Sequence, residues 1–158
     1  AIDPHKILVM IMTHDLGELF GGDISAPLNR KYPDLREFKN KIGERAIDLL
    51  TSYLNEQEQT DFKALSRELE TGETDEALVS KIMDQIDHQF FLEHHSYKAK
   101  NAPTDFDYRE QFIQDHIMTL VEKIEDATTK KIMQEFVNTF IEHYFNRGFR
   151  SVHFLLNE

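Results

Sequence analysis

Helical periodicity dominates this chain, and glycine and proline interrupt it rarely. Only 6 Gly and 4 Pro occur in 158 residues, and no window shows the alternation of β-branched residues that is typical of a strand. In the stretch 34–54, apolar residues recur every three to four positions, as on one face of a helix: Leu35, Phe38, Ile42, Ala46, Leu49 and Tyr53. We therefore expect a single all-α domain over residues 1–158, a bundle of about five to seven helices.

Capping residues and glycines predict where the helices begin and end. Asp3-Pro4 reads as an N-cap with proline at the first helical position, and this helix is expected to run to about Phe20, where Gly21 ends it. Because the run Ile7–Met12 is apolar on every side, we expect that helix to lie in the middle of the core. Further helices are predicted over residues 34–54, 56–70, 74–98 and 108–147, the last with a break near 127–128.

Composition excludes several kinds of site. There is no cysteine, so disulfides, thiolate zinc sites and cysteine nucleophiles are excluded, and a metal site must use His, Asp, Glu and water. The chain has 29 acidic and 18 basic side chains, a net charge of −11, which argues against nucleic-acid binding. An anionic substrate would then need a locally positive site. The longest apolar run is far below the ~20 residues of a membrane span, so we expect no membrane span and a cytoplasmic location.

The most informative stretch is Thr13-His14-Asp15-Leu16-Gly17-Glu18, with Asp23 shortly after it. On a helix, Glu18 lies one turn from both His14 and Asp15. Burying an unpaired imidazole or carboxylate is costly, and a divalent cation accepts both kinds of ligand atom. The alternative is that these side chains lie at a helix end and face water.

A further carboxylate ligand would have to come from elsewhere in the chain. Asp84 and Asp87 both lie in the predicted fourth helix, close to the apolar residues Ile82 and Ile86. Their spacing does not settle which of the two points inward, and either could belong to a solvated helix face.

The run His14 to Glu18, followed by Gly22-Asp23-Ile24 and Pro27, resembles the second motif of the HD-domain metal-dependent phosphohydrolases, in the branch that contains 5′-deoxynucleotidases. The resemblance covers residues 3–31 well and the fourth helix loosely. It implies an HD-domain-like helical bundle that binds one divalent metal. The roles that it implies are metal ligands for His14, Asp15 and Asp84, and catalytic carboxylates for Glu18 and Asp23.

One ligand of that family has no counterpart here. The family's first His comes from the helix before the His-Asp motif, and no such helix precedes His14. His5 does not replace it, because nine residues of helix separate the two by roughly 13 Å. Either an upstream segment is missing, which we prefer because the chain opens at Ala1 directly in a helical pattern, or the protein has lost a ligand.

These residues predict a divalent-metal-dependent phosphohydrolase acting on a small phosphomonoester, with a nucleoside 5′-monophosphate as one candidate. The ion (Mn, Co, Mg, Fe, Ni or Zn) would generate the nucleophile from bound water. Glu18 would orient or deprotonate that water, and Asp23 would assist proton transfer or position the substrate. The alternative is a non-catalytic HD-like regulatory module that binds a metal or a nucleotide. A weaker alternative, a di-metal oxygenase, lacks the additional His ligands that it needs.

Outside these motifs, ordinary structural roles are expected. The histidines at 88, 94, 95, 116, 143 and 153 show no carboxylate pattern and are expected at helix ends or on the surface. Arg30 and Lys31 could neutralise a phosphate, although loop cations are commonly solvated. The aromatic-rich last helices favour a core or a homodimer face.

Overall fold

Six α-helices and one 3₁₀ segment make up the described part of the chain, and it contains no strand. The computed structural model describes residues 2–24, 28, 31–95 and 106–142, with side chains except at 89, 91–95 and 106–113. The helices are α1 (Pro4–Thr13), α2 (Asp34–Thr51), α3 (Glu56–Thr71), α4 (Asp75–His95), α5 (Phe106–Lys123) and α6 (Ala127–Ile141), and the 3₁₀ segment is His14–Glu18. The expected all-α class is confirmed. None of the described helices is long and apolar enough to cross a bilayer.

The apolar core lies between α4, α5 and α6. Each of these helices contributes buried side chains at helical spacing. Full burial of one such side chain contributes about 1.5–3 kcal/mol, so this cluster is the main source of stability among the described residues. Its members are Leu78, Val79, Ile82 and Ile86 on α4, Ile117, Leu120, Val121 and Ile124 at the end of α5, and Met133, Val137 and Phe140 on α6.

Capping residues fix most helix ends where the sequence predicts them. The Asp3 side chain accepts two backbone hydrogen bonds from the first turn of α1, with Pro4 in that turn. Gly72 ends α3 in the left-handed conformation, with φ 66°, a conformation that favours glycine. The first helix, however, ends at Thr13 and not near Phe20, and the chain tightens there into the 3₁₀ segment.

Small side chains on α4 allow α1 to pack closely against it. Ala77 and Met10 are fully buried, and Ser80 is nearly so. The Ser80 hydroxyl lies 3.7 Å from the Met10 sulfur, and the backbone N–H of Asp3 donates to Glu76 at 3.0 Å. Since contacts advance along both helices together, α1 and α4 run in the same direction.

One expectation about burial is wrong for the described residues, and a second helix leaves much of its apolar stripe exposed. Met12 is 73% exposed and Leu8 is also exposed, so α1 buries one face and does not lie in the middle of the core. On α2, Ala46 is buried, but Phe38 is 60% exposed, and Tyr53, just beyond the end of the helix, is exposed as well. Periodicity identified both helices, but it did not show that much of the apolar stripe of α2 is exposed.

Candidate active site

His14 is held at the junction of α1 and the 3₁₀ segment with its ring orientation fixed. Its Nδ1 lies 2.7 Å from the carbonyl oxygen of Ile11, and because a carbonyl oxygen only accepts, Nδ1 is the donor in this contact. Nε2 lies 3.1 Å from Asp15 Oδ2 and 3.1 Å from Asp84 Oδ1. The ring therefore presents Nε2 to two carboxylates.

The parallel packing of α1 on α4 brings Asp84 to His14. Ser80 contacts Met10, and one helical turn further along each helix Asp84 reaches His14. The amide of Gln85 donates to the second oxygen of Asp84 at 3.2 Å. Asp87 is exposed, so of the two carboxylates that the sequence left open, Asp84 is the one beside His14.

The three side chains line an open cavity and are not enclosed in an apolar interior. The exposed fractions are 32% for His14, 40% for Asp84 and 69% for Asp15. The expectation that these groups are buried is therefore wrong, because α1 ends at Thr13 and the 3₁₀ segment turns toward the cavity. These three side chains lose little of their hydration, so it is their contacts with one another that favour a cation.

Those contacts fit a shared cation. A neutral imidazole nitrogen and two carboxylate oxygens repel one another at 3.1 Å unless the ring is protonated or a cation lies among them. Metal–ligand bonds of about 2.1 Å at a right angle place two ligand atoms about 3.0 Å apart, close to the separations around Nε2. Even so, no group of three or more His, Asp or Glu among the described residues is arranged to hold a metal ion as it stands.

A second charged group lies at the other end of the 3₁₀ segment. Lys39 on α2 contacts Glu18 Oε1 at 2.7 Å and also donates to Asp23. Partial burial lowers the pKa of Lys39, but its contacts with Asp23 and Glu18 outweigh this effect and hold the pKa above its ordinary value. The two predicted catalytic carboxylates are thus brought together by a lysine that the sequence analysis did not single out, because a helical lysine usually faces water.

A pair of glycines sets the distance between the 3₁₀ segment and α2. A Cβ atom added at Gly17 would lie 3.3 Å from the Cα of Gly43, so the two backbones touch directly. Lys39 lies one turn before Gly43 on α2, and Glu18 directly follows Gly17. This close approach places the ammonium group against the Glu18 carboxylate.

Both charged groups border one cavity of about 920 Å³. His14, Asp15 and Asp84 line it together with Glu18 and Lys39, whereas Asp23 contacts Lys39 without lining the cavity itself. The volume falls within the range that is usual for small-molecule sites, about 300–1,000 Å³.

The remaining sequence predictions have mixed outcomes. Lys31 lies 5.4 Å over the ring of Tyr32. His116 is exposed, as expected for a surface residue, and it also lines the cavity. His88 is exposed, and the rings of Phe90 and Phe140 pack edge to face at 5.6 Å. Outside the described residues or side chains lie Arg30, Phe91, His94, His95, His143, Tyr144, Phe145, Phe149 and His153.

Comparison with known proteins places this geometry in a family. A family model described as HD domain matches residues 1–125. The chain belongs to the HD-domain family. A 5′-deoxynucleotidase from Vibrio vulnificus is 32% identical over 85 residues, which cover 54% of this chain and 43% of that relative. No solved structure gives a significant match.

Membership confirms the resemblance predicted from the motif that begins at His14. HD domains generally depend on divalent metal ions. The match spans less than half of that relative.

Proposed function

We propose that this HD domain carries the active site of a divalent-metal-dependent phosphohydrolase that cleaves a small phosphomonoester. The observation that carries the proposal is the meeting of His14, Asp15 and Asp84 at the wall of a cavity of about 920 Å³. A nucleoside 5′-monophosphate is the leading candidate substrate, since the Vibrio vulnificus relative is named a 5′-deoxynucleotidase.

His14 Nε2 and one oxygen each of Asp15 and Asp84 are the atoms that would hold the ion. When bound, the ion lowers the pKa of its water and polarises a phosphoryl oxygen. The carbonyl of Ile11 keeps Nε2 aimed at the two carboxylates, and the amide of Gln85 holds the other oxygen of Asp84. Mn, Co, Mg, Fe, Ni and Zn all suit this set of nitrogen and oxygen atoms.

Glu18 and Asp23 have roles in proton transfer and substrate positioning. The Glu18 carboxylate lines the cavity and accepts a proton from the attacking water or orients it. Lys39 holds Glu18 and Asp23 in fixed positions through its contacts with both.

The test is phosphate release by the purified full chain with added Mn²⁺ or Co²⁺. We expect release from a nucleoside 5′-monophosphate, and a loss of at least about a hundredfold in Asp15→Ala, since a lost ligand costs more than the 10–100-fold typical of its supporting contacts. Asp15 is largely exposed, so its removal leaves the fold intact. Asp87→Ala is the matched control and should retain activity. Undiminished turnover in Asp15→Ala would contradict the proposal.

The alternative is a non-catalytic module that binds a metal or a nucleotide. One observation favours its nucleotide-binding form, which needs no ion: among the described residues no group of three or more ligands is arranged to hold one. The same assay separates the two, because metal binding without phosphate release indicates a binding module. A single domain over residues 1–158, a homodimer, a cytoplasmic location and the lack of nucleic-acid partners stay predictions.

A further inference from the structure

A group of basic side chains lines the same cavity beside the His14 group. Arg36 on α2, Lys81 on α4 and His116 on α5 all border it. The chain as a whole carries a charge of −11, so a local grouping of basic residues runs against its average. Lys63, a further basic residue of the lining, pairs with Asp48 at 2.7 Å and is neutralised.

Arg36 and Lys81 each lie one helical turn from a residue of the proposed active site. Arg36 precedes Lys39 by three residues on α2, and Lys81 precedes Asp84 by three residues on α4. Three residues of helix rise about 4.5 Å and share a face. On each helix, three residues therefore separate a residue of the proposed active site, Lys39 or Asp84, from a basic residue that lines the same cavity.

The basic pair keeps hydrogen-bond donors that the described residues do not use. Among the described residues, the exposed Arg36 side chain makes no ion pair. Lys81 uses one of its three donor protons on the carbonyl oxygen of Glu70 at 2.7 Å, and the other two remain for a ligand. Burial lowers the pKa of Lys81, and the charge of Arg36 lowers it further against the opposing carboxylate of Glu70.

His116 extends the group from a third helix. Burial lowers the pKa of this imidazole, and the positive charges of Lys123 and Lys81 lower it further. Neighbouring positive charges lower one another's pKa, and an anion bound between them removes this repulsion. Lys81 also has a structural role at the carboxyl end of α3, through Glu70, whereas Arg36 has no ion pair of that kind. Arg36 is therefore the residue to test.

We propose that Arg36 and Lys81, supported by His116, bind a second phosphate group of the substrate while its first phosphate lies at the His14 group. This inference rests on the proposed function and extends the candidate substrates from nucleoside 5′-monophosphates to nucleotides with a second phosphate group, which should be used better. A nucleoside 5′-diphosphate and a nucleoside 3′,5′-bisphosphate share this chemistry. Arginine suits such a role because its planar fork donates two parallel hydrogen bonds to phosphate.

The first experiment measures binding to metal-free protein in EDTA by calorimetry, with deoxyadenosine 5′-diphosphate and 3′,5′-bisphosphate as ligands. We expect Arg36→Gln to weaken the tighter of the two by about tenfold, as for the loss of a charge-assisted contact. Arg45→Gln is the matched control on the same helix, since Arg45 pairs with Asp48 outside the basic group, and it should bind like the wild type. Equal binding by Arg36→Gln and the wild type would overturn the inference.

The second experiment compares phosphate release from these ligands and from deoxyadenosine 5′-monophosphate by the Mn²⁺-loaded protein. The wild type should show about tenfold higher kcat/KM for whichever two-phosphate nucleotide fits, and Arg36→Gln should lose that preference. The preferred ligand identifies which of the two sources is bound. An equal or higher kcat/KM for the monophosphate would contradict the binding of a second phosphate group. If phosphate is released from none of the three nucleotides, only the proposed function is contradicted. Binding to the metal-free protein then tests whether Arg36 and Lys81 bind a phosphate group.

Discussion

The two halves of the described chain bury their apolar residues to different extents. In α4, α5 and α6, side chains such as Ile117 and Val137 are completely buried, whereas in α1 and α2 residues as large as Met12 and Phe38 are mostly exposed. The candidate site residues lie on or beside α1 and α2, the more exposed part, except for Asp84 on the central helix α4. Stability and chemistry are thus carried by different parts of the molecule, joined along α4.

The largest expected effect is on stability, in the buried half. Ile117→Ala should lower the free energy of unfolding by about 2–5 kcal/mol, because it removes a fully buried side chain and leaves a cavity. Phe38→Ala, on the exposed stripe of α2, should change it by no more than about 0.5 kcal/mol. Urea denaturation measures both. A cost for Phe38→Ala as large as that for Ile117→Ala would break the comparison.

The next effect is on activity, in the exposed half. Lys39→Met should lower kcat/KM by about tenfold, because Glu18 and Asp23 lose the charge-assisted contact that positions them. Unfolding by urea should change little, since all three groups lie near the surface. Lys41→Met is the control: Lys41 lies on the same helix and pairs with the exposed Glu37. Equal losses in both variants would remove the special role of Lys39.

A smaller effect is expected where the 3₁₀ segment meets α2. Gly17→Ala places its Cβ 3.3 Å from Gly43, so the two backbones must separate by a few tenths of an ångström, and kcat/KM should fall about threefold as Glu18 shifts. In Gly43→Ala the added Cβ lies 3.8 Å from the Gly17 oxygen, an ordinary van der Waals distance. This substitution should therefore stabilise α2 by up to about 1 kcal/mol. Activity and denaturation curves for the pair distinguish spacing from helix propensity, and the opposite ranking would refute the spacing argument.

The smallest effect is a proton equilibrium at His116. Its pKa should lie below 6.5 because of burial and then of Lys123 and Lys81, and Lys123→Gln should raise it, as followed by NMR. As pH falls from 6.5 to the folded-state pKa, the unfolded chain binds more protons, so stability declines across that window. His116→Gln should abolish this dependence. A pKa at or above 6.5 would show that the basic group is already neutralised.

Local features of the fold could be predicted from the sequence, whereas burial could not. Asp3 and Gly72 cap their helices as expected, because a cap depends on residues within one turn. The apolar run 7–12 buries Met10 but leaves Leu8 and Met12 exposed, since an apolar run identifies a helix but not the neighbours that cover it.

Candidate site residues divide in the same way. The meeting of His14 with Asp84, 70 residues away, followed from a family resemblance and not from spacing, which left Asp84 and Asp87 equal. Lys39 and Arg36 were not predicted, because a basic residue on a helix gives no sign of which long-range partner it faces. Only the packing of α2 on the 3₁₀ segment shows their position.

The most direct test of the central claim is Mn²⁺ binding to the purified chain, measured by calorimetry for the wild type, Asp84→Asn and Asp87→Asn. The account predicts that the wild type and Asp87→Asn bind Mn²⁺ alike, and that Asp84→Asn binds it at least about tenfold more weakly, as expected for a lost ligand contact. Equal binding by all three proteins, or no binding by the wild type, would contradict a metal site at His14, Asp15 and Asp84.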